Sequence, residues 1–229
     1  MSRYLSFACV LGLWPLHAVY ADLDAGLEAV RRKDYPAARV EFEILAEKGD
    51  PDGQVNLGNL YMKGWGVAQD YAAAYDWFRK AAEQNSRIAQ SKLGVLHYYG
   101  LGTVKDSAEA AKWFEMAADR GDPNAQSALG TLYAEGDGVS RNLVKAYFWL
   151  TLAFEFGDTG VSELRMQLAE EMTPGEMAES LTRVEEWKRD KSIPDAGGAS
   201  PEQPPSDLTA EPTSDRVKPK HSAKRKRAP

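Results

Sequence analysis

At 229 residues the chain is long enough for one or two domains, and it carries 28 Lys and Arg against 34 Asp and Glu. Its one cysteine, Cys9, sits in a leader-like segment, so the body has no thiol, which excludes disulfides, thiolate metal sites and a cysteine nucleophile. Charge is uneven: residues 22–190 hold 19 basic against 29 acidic side chains, a net of −10, whereas Arg216 to the end adds +7 with no acid.

Residues 1–21, MSRYLSFACVLGLWPLHAVYA, place Arg3 ahead of an apolar stretch from Tyr4 to Trp14 and end on the small-residue exit Val19-Tyr20-Ala21. That is the layout of a secretory signal peptide, with cleavage expected after Ala21. A membrane-spanning helix needs about 20 apolar residues, and this stretch is shorter and interrupted by Pro15. The expectation is an exported protein, in the periplasm of a bacterial envelope, with no transmembrane span after cleavage. Only His97 and His221 then remain, too far apart to make a metal site.

Residues 22–48 read as an atypical first helical hairpin, because Asp34, Ala38 and Phe42 lie 36 residues before Asp70, Ala74 and Phe78. From there the chain repeats itself with a step of 36 residues, giving units 49–86, 87–122 and 123–158. Leu57-Gly58 recurs as Leu93-Gly94 and Leu129-Gly130, the pair Gly64 and Gly66 as Gly100 and Gly102 and as Gly136 and Gly138, and Trp77 as Trp113 and Trp149. In each second half the apolar residues follow helical spacing, as in Ala74, Trp77, Phe78, Ala81 and Ala82, and the first half does likewise through Gly53, Leu57, Leu60 and Tyr61. Each unit is therefore two amphipathic helices. The glycine pair is expected to end the first helix, and Asp70, Asp106 and Asn142 to cap the second. Gly58, Gly94 and Gly130 fall inside a helix at a cost of about 1 kcal/mol relative to alanine, for which close contact between the paired helices is the expected reason.

After the third unit, residues 159–190 supply two capping helices, an amphipathic segment near Val161–Glu171 and a second helix opened by Thr173 and Glu176 at capping-box spacing. Met177, Leu181, Val184 and Trp187 are expected to form its apolar face. Residues 191–229 are rich in Pro, Ser, Gly and charge and nearly devoid of large apolar side chains, the composition of a disordered tail with a basic end.

Ala125, Gln126, Leu129, Gly130, Tyr133, Gly136, Gly138 and Val139, followed in the other copies by Ala74, Trp77, Ala81 and Ala82, resemble the Sel-like repeat, the Sel-one subfamily of tetratricopeptide-type repeats. His97, Thr103 and Phe154 depart from the pattern without removing a helix. The resemblance implies an all-α, right-handed superhelical solenoid used as an adaptor for protein complexes. It also implies that the first helix of each hairpin lines an inner, concave surface. That assigns to partner binding Asn59, Met62 and Lys63 of the first copy, Ser91, Val95, Tyr98 and Tyr99 of the second, and Asn124, Ser127, Thr131 and Glu135 of the third. Tyr98 and Tyr99 are the candidate anchors, since exposed tyrosines offer large contact area at small entropic cost.

Sharper chemistry finds little support. The sequence has no Ser-x-x-Lys, no His-Glu-x-x-His and no phosphate-cradling loop between strand and helix, so no catalytic, metal or cofactor residue is assigned. His97 reads as a half-buried aromatic substitute, the adjacent Glu170 and Glu171 as solvated, and the tryptophan trio as core. Trp65 is open between an exposed anchor and a side chain folded back on its hairpin. Lys224-Arg225-Lys226-Arg227 suits contact with anionic surfaces, the acidic body or solvent alone. Two functions result: an exported adaptor binding a protein or peptide in a concave groove without catalysis, or an exported hydrolase or cell-wall-acting enzyme built on the repeats.

Overall fold

The computed structural model describes residues 22–191. The signal peptide expected at 1–21 and the tail expected at 191–229, beyond Lys191, lie outside the described residues. Within them the chain is helical: α1 (Leu23–Arg31), α2 (Tyr35–Glu47), α3 (Pro51–Lys63), α4 (Tyr71–Glu83), α5 (Arg87–Tyr99), α6 (Ser107–Ala118), α7 (Pro123–Glu135), α8 (Leu143–Glu155), α9 (Ser162–Glu171) and α10 (Pro174–Asp190), with one 3-10 turn at Thr159–Val161. Consecutive helices pack as hairpins, and each second helix packs on the first helix of the next unit. No described helix is long and apolar enough to cross a membrane.

Two rows of caps fix where the helices start. Asp34, Asp70, Asp106 and Asn142 open the second helices; the Asp70 carboxylate, for example, accepts from the Ala72 and Ala73 amides at 2.9 and 3.0 Å. A second row was not singled out from the sequence: Asp50, Ser86 and Asp122 open the first helices by accepting from Gly53, Ala89 and Ala125. Gly64, Gly100 and Gly136 close those helices in the left-handed conformation, at φ of 70, 70 and 72°. The second glycine of each pair has another task. A β-carbon on Gly102 or Gly138 would run into the backbone of Tyr71 or Ser107, where the preceding unit's second helix begins. One glycine thus ends the helix and the other lets neighbouring units approach.

The helical glycines bear out the expected close contact. A β-carbon on Gly58 would lie 2.7 Å from the Phe78 ring, on Gly94 2.6 Å from Phe114, and on Gly130 2.7 Å from Leu150. Gly26 faces Phe42 in the same way, an equivalence hidden in the sequence by a shorter loop. These contacts correct the expectation for the tryptophans. Phe42, Phe78 and Phe114 are the fully buried rings, whereas Trp77 and Trp113 are only partly buried and Trp149 alone of the trio is buried. The reason is the turn of the helix: one position is about 100° of rotation, so the residue after each tryptophan meets the glycine. Trp77 packs instead on the cluster around Phe42 and Leu57, and Trp113 on the cluster around Phe78 and Leu93. Each ring sits at a seam with the preceding unit.

Buried amides tie units together as well. Gln54 and Gln126 donate to the Ala46 and Ala118 carbonyls at 3.3 and 3.2 Å, near the end of the helix before, and Gln54 accepts from Gln84 at 2.9 Å. The two carbonyls also accept from the Gly49 and Gly121 amides of the turns, so each glutamine adds a second bond at a helix end.

After the third unit come α9 and α10, the latter opened by Thr173 and Glu176 in a reciprocal capping box at 3.3 and 2.9 Å. Arg141 pairs with Glu171 at 2.6 Å, Ser180 donates to the Val144 carbonyl at 3.1 Å, and Lys188 lies 3.4 Å from Glu155. Those contacts set α9 antiparallel and α10 parallel to α8. They also correct the expected apolar face: Leu181 is 43% exposed, because α10 meets α8 through Ser180, Val184, Trp187 and Lys188, a face rotated away from Leu181. Lys188 is buried with two acceptors, Glu185 and Glu155, and hydrogen bonding to Glu185 raises its ammonium above the usual lysine range.

The glycine–phenylalanine contact can be tested by sign. Gly94→Ala adds about 1 kcal/mol of helix propensity, yet its methyl group meets Phe114 in a packed core. We expect a net loss of about 1–3 kcal/mol in chemical denaturation; a stabilised variant would show that the ring is free to move aside.

Candidate functional site

The residues assigned to partner binding lie on α3, α5 and α7 but spread over an arc of each helix: at about 100° per residue, Asn59, Lys63 and their equivalents stand about 100–140° round from the helical glycine, whereas Met62, Ser91, Tyr98 and Ser127 stand within about 60° of it. Positions 59, 63 and their equivalents one and two repeats on are separated by four residues, so they stand one above the other on each helix. Burial divides the set. Asn124 and Tyr99 are exposed, Lys63, Val95, Ser127 and Glu135 are partly buried, and Asn59, Met62, Ser91, Tyr98 and Thr131 are buried. The expectation of two open tyrosines therefore holds for Tyr99, 41% exposed, and not for Tyr98, 6% exposed.

The tyrosines make an edge-to-face pair at the end of α5, with ring centroids 4.9 Å apart and planes at 89°. Lys105 lies 5.8 Å from the Tyr98 ring. Burial first, then the charges of Asp137 and Glu135, raise the Tyr98 hydroxyl above the usual tyrosine range. The third repeat thus presents negative charge to the aromatic pair of the second. At the first repeat, the Asn59 carboxamide has neither polar atom bonded within the protein. Thr131 donates to the Ser127 carbonyl at 2.9 Å.

Deeper in the same wall a buried carboxylate joins two repeats. Asp122 caps α7 through Ala125 at 2.8 Å and accepts from the Ser91 hydroxyl of α5 at 3.3 Å. Burial raises its carboxyl above the usual carboxylate range, opposed by these hydrogen bonds and by Arg87 and Lys92. Nothing in the sequence pattern distinguishes Asp122 from its counterparts Asp50 and Ser86; its burial comes from stacking.

The remaining single residues find ordinary surroundings. His97 is buried, with Nε2 3.5 Å from the Tyr75 hydroxyl and the two rings edge to face at 5.6 Å. Trp65 is partly buried and stacked on Tyr35, with centroids 4.9 Å apart and planes at 18°, so its ring packs on the preceding hairpin and not only on its own. Glu170 is exposed and Glu171 pairs with Arg141. Among the described residues no three His, Cys, Asp or Glu come together as a metal site. An open cleft of about 780 Å³ lies between Met116, Arg120, Trp187 and Lys191, and none of its lining residues belongs to the first-helix stripe.

A stack of helical hairpins with a polar and aromatic first-helix wall defines a repeat-solenoid scaffold. Residues 51–86, 87–122 and 123–158 each match the Sel1 repeat, so this part of the chain is built of three Sel1 repeats. It is similar to a Sel1 repeat protein from Oxalobacter formigenes, with 34% identity over 60% of this chain and 56% of that one and a TM-score of 0.57. It is also similar to c5321, a protective antigen of uropathogenic Escherichia coli displaying an SLR fold, with 25% identity over 73% of this chain and 46% of that one and a TM-score of 0.51. The chain thus spans about half the length of each. Among curated proteins no significant match is found. Repeats of this family commonly form scaffolds for protein interaction.

The buried Asp122 yields a pH prediction. Its raised folded-state pKa means that the stability it contributes is present in acid and is lost as pH rises through that value. Asparagine caps a helix about as well without a charge. Asp122→Asn is therefore expected to match the parent near pH 4 and to exceed it in denaturation midpoint at pH 7; a parent that stays ahead at both values would refute the burial argument.

Proposed function

We propose that this protein is an exported adaptor that holds a segment of another protein against the wall formed by α3, α5 and α7, and that it performs no catalysis. The observation that carries the reading is the contrast within the repeat. Positions facing the hairpin interior recur from copy to copy, whereas the wall positions differ: Asn59, Val95 and Thr131 in one row, Lys63, Tyr99 and Glu135 in another. The wall positions are released from the demand of the shared core, and their differences give the face the asymmetry that a guest protein segment can use. Tyr99 is its open aromatic anchor.

Export is supported by the leader-like composition of residues 1–21, with Asp22 as the first residue after cleavage. The +7 segment from Arg216 onward suits a second, electrostatic contact with an anionic surface such as acidic lipid head groups. The division of labour is then a shape-selective wall and a salt-sensitive tail.

Capture from an envelope extract by the immobilised protein, read by mass spectrometry, tests the wall. Tyr99→Ala is expected to lose most of the captured partner while changing stability by less than about 0.5 kcal/mol, as surface substitutions do. Equal loss of binding and stability would make Tyr99 part of the core. Separately, a chain lacking residues 216–229 is expected to lose salt-sensitive retention on vesicles of anionic lipid. Recovery of the full-length protein from the cytoplasm with its leader intact would count against export.

A further inference from the structure

The cleft beside the cap lies where the described chain stops. It is lined by Met116, Asp119, Arg120 and Gly121 at the end of α6 and by Trp187 and Lys191 at the end of α10, and Lys191 is the last described residue. Its floor is low, because Gly121 takes φ of 79° and a β-carbon there would meet only the Trp187 ring, at 3.8 Å. Met116 forms an apolar wall that is 44% exposed, whereas its counterpart Leu152 is buried and its counterpart Lys80 lies 3.8 Å over the Trp77 ring. Arg120 donates to the Asn85 side-chain oxygen at 2.9 Å, so the rim beside Met116 is held in place.

The sequence beyond Lys191 suits this cleft by register, by composition and by charge. Lys191 is the C-cap of α10, which makes Ile193 the second residue past the cap and Trp187 the fourth before it. Those are two positions that pack on each other where many helices end. Ile193 is also the only large apolar residue between Lys191 and Leu208. Residues 192–215 carry five acids and no base, opposite a rim on which Arg120 and Lys191 outnumber Asp119. We propose that residues 192–195 fold back over the cleft and seat the Ile193 side chain between Met116 and Trp187, so that the chain's own tail straps the cap to the second repeat. Ile193 lies within about 7 Å of extended chain from Lys191, and the cleft it enters measures about 780 Å³. Removal of the isoleucine and Met116 side chains from water drives the contact, and the acids of the segment favour it without a fixed ion pair. Helix α10 packs chiefly on α8, so the strap is a second attachment, this one to α6, and it anchors at the cap the tail that carries the basic end.

Oxidation of the full chain by dilute hydrogen peroxide, followed by peptide mapping, reads the cover over Met116, with Met166 of α9, 62% exposed, as an internal reference. Ile193→Ser is expected to raise the rate at Met116 about threefold and to leave Met166 unchanged. Ile193→Leu keeps an apolar side chain at the seat, and Leu208→Ser alters the next large apolar residue of the tail; both are expected to leave the two rates as in the parent. A Met116 rate that Ile193→Ser does not change overturns the strap. An equally large rise with Leu208→Ser also overturns it, because the cover then belongs to another part of the tail. A rise shared by Met166 does the same, because it reports a loosened cap and not an opened cleft.

Discussion

The approach of a ring to a glycine governs this molecule. In each hairpin an aromatic or leucine side chain of the second helix occupies the space that a β-carbon on the first helix would fill, at Gly26, Gly58, Gly94 and Gly130. That contact draws the helices together but leaves each hairpin only two helices thick, with no interior of its own large enough to be stable. The tryptophan seams and the buried glutamines complete the interior by joining one unit to the next. Stability therefore belongs to the stack, as in other quasi-one-dimensional repeat arrays.

The ends of the array follow from the same constraint. The first hairpin keeps the glycine–phenylalanine contact with a shorter loop, so it seals one end with the same chemistry. At the other end the ring-to-glycine contact stops at Leu150, and α10 lies along α8 through a hydroxyl, a valine, a tryptophan and a buried lysine held by two carboxylates. A cap of that mixed composition covers the last apolar stripe without offering a repeat-like face to another unit.

Much of this was legible in the chain itself. Gly58 with its copies announced a close helix contact, Asp70 with its copies announced helix starts, and Thr173 with Glu176 announced a capping box, because each is local geometry with a fixed sequence offset. Phe78 and Phe114 as the deepest rings were not separable from the neighbouring tryptophans, since both fall on the apolar side and only the facing helix tells them apart. The burial of Asp122, Tyr98 and Asn59 was equally invisible. It depends on how closely one first helix lies to the next, a property of the stack that no single hairpin encodes. Leu181 was misjudged for a related reason: the face a terminal helix buries is chosen by its neighbour, and α10 rests chiefly on α8.

An array of near-copies also carries its own internal comparison. A position that serves the common core faces the same demand in every unit, so it settles on the same residue, as Leu57, Leu93 and Leu129 do. A position that serves only its own unit is released from that demand. The wall row of Lys63, Tyr99 and Glu135 differs in charge, size and polarity across units whose backbones are alike, which is what an asymmetric guest would require of a symmetric scaffold. The burial of Tyr98 sharpens the point, because the second repeat fixes one tyrosine edge-on and so orients its partner Tyr99. An oriented ring of that kind would lower the ordering cost of the binding proposed above.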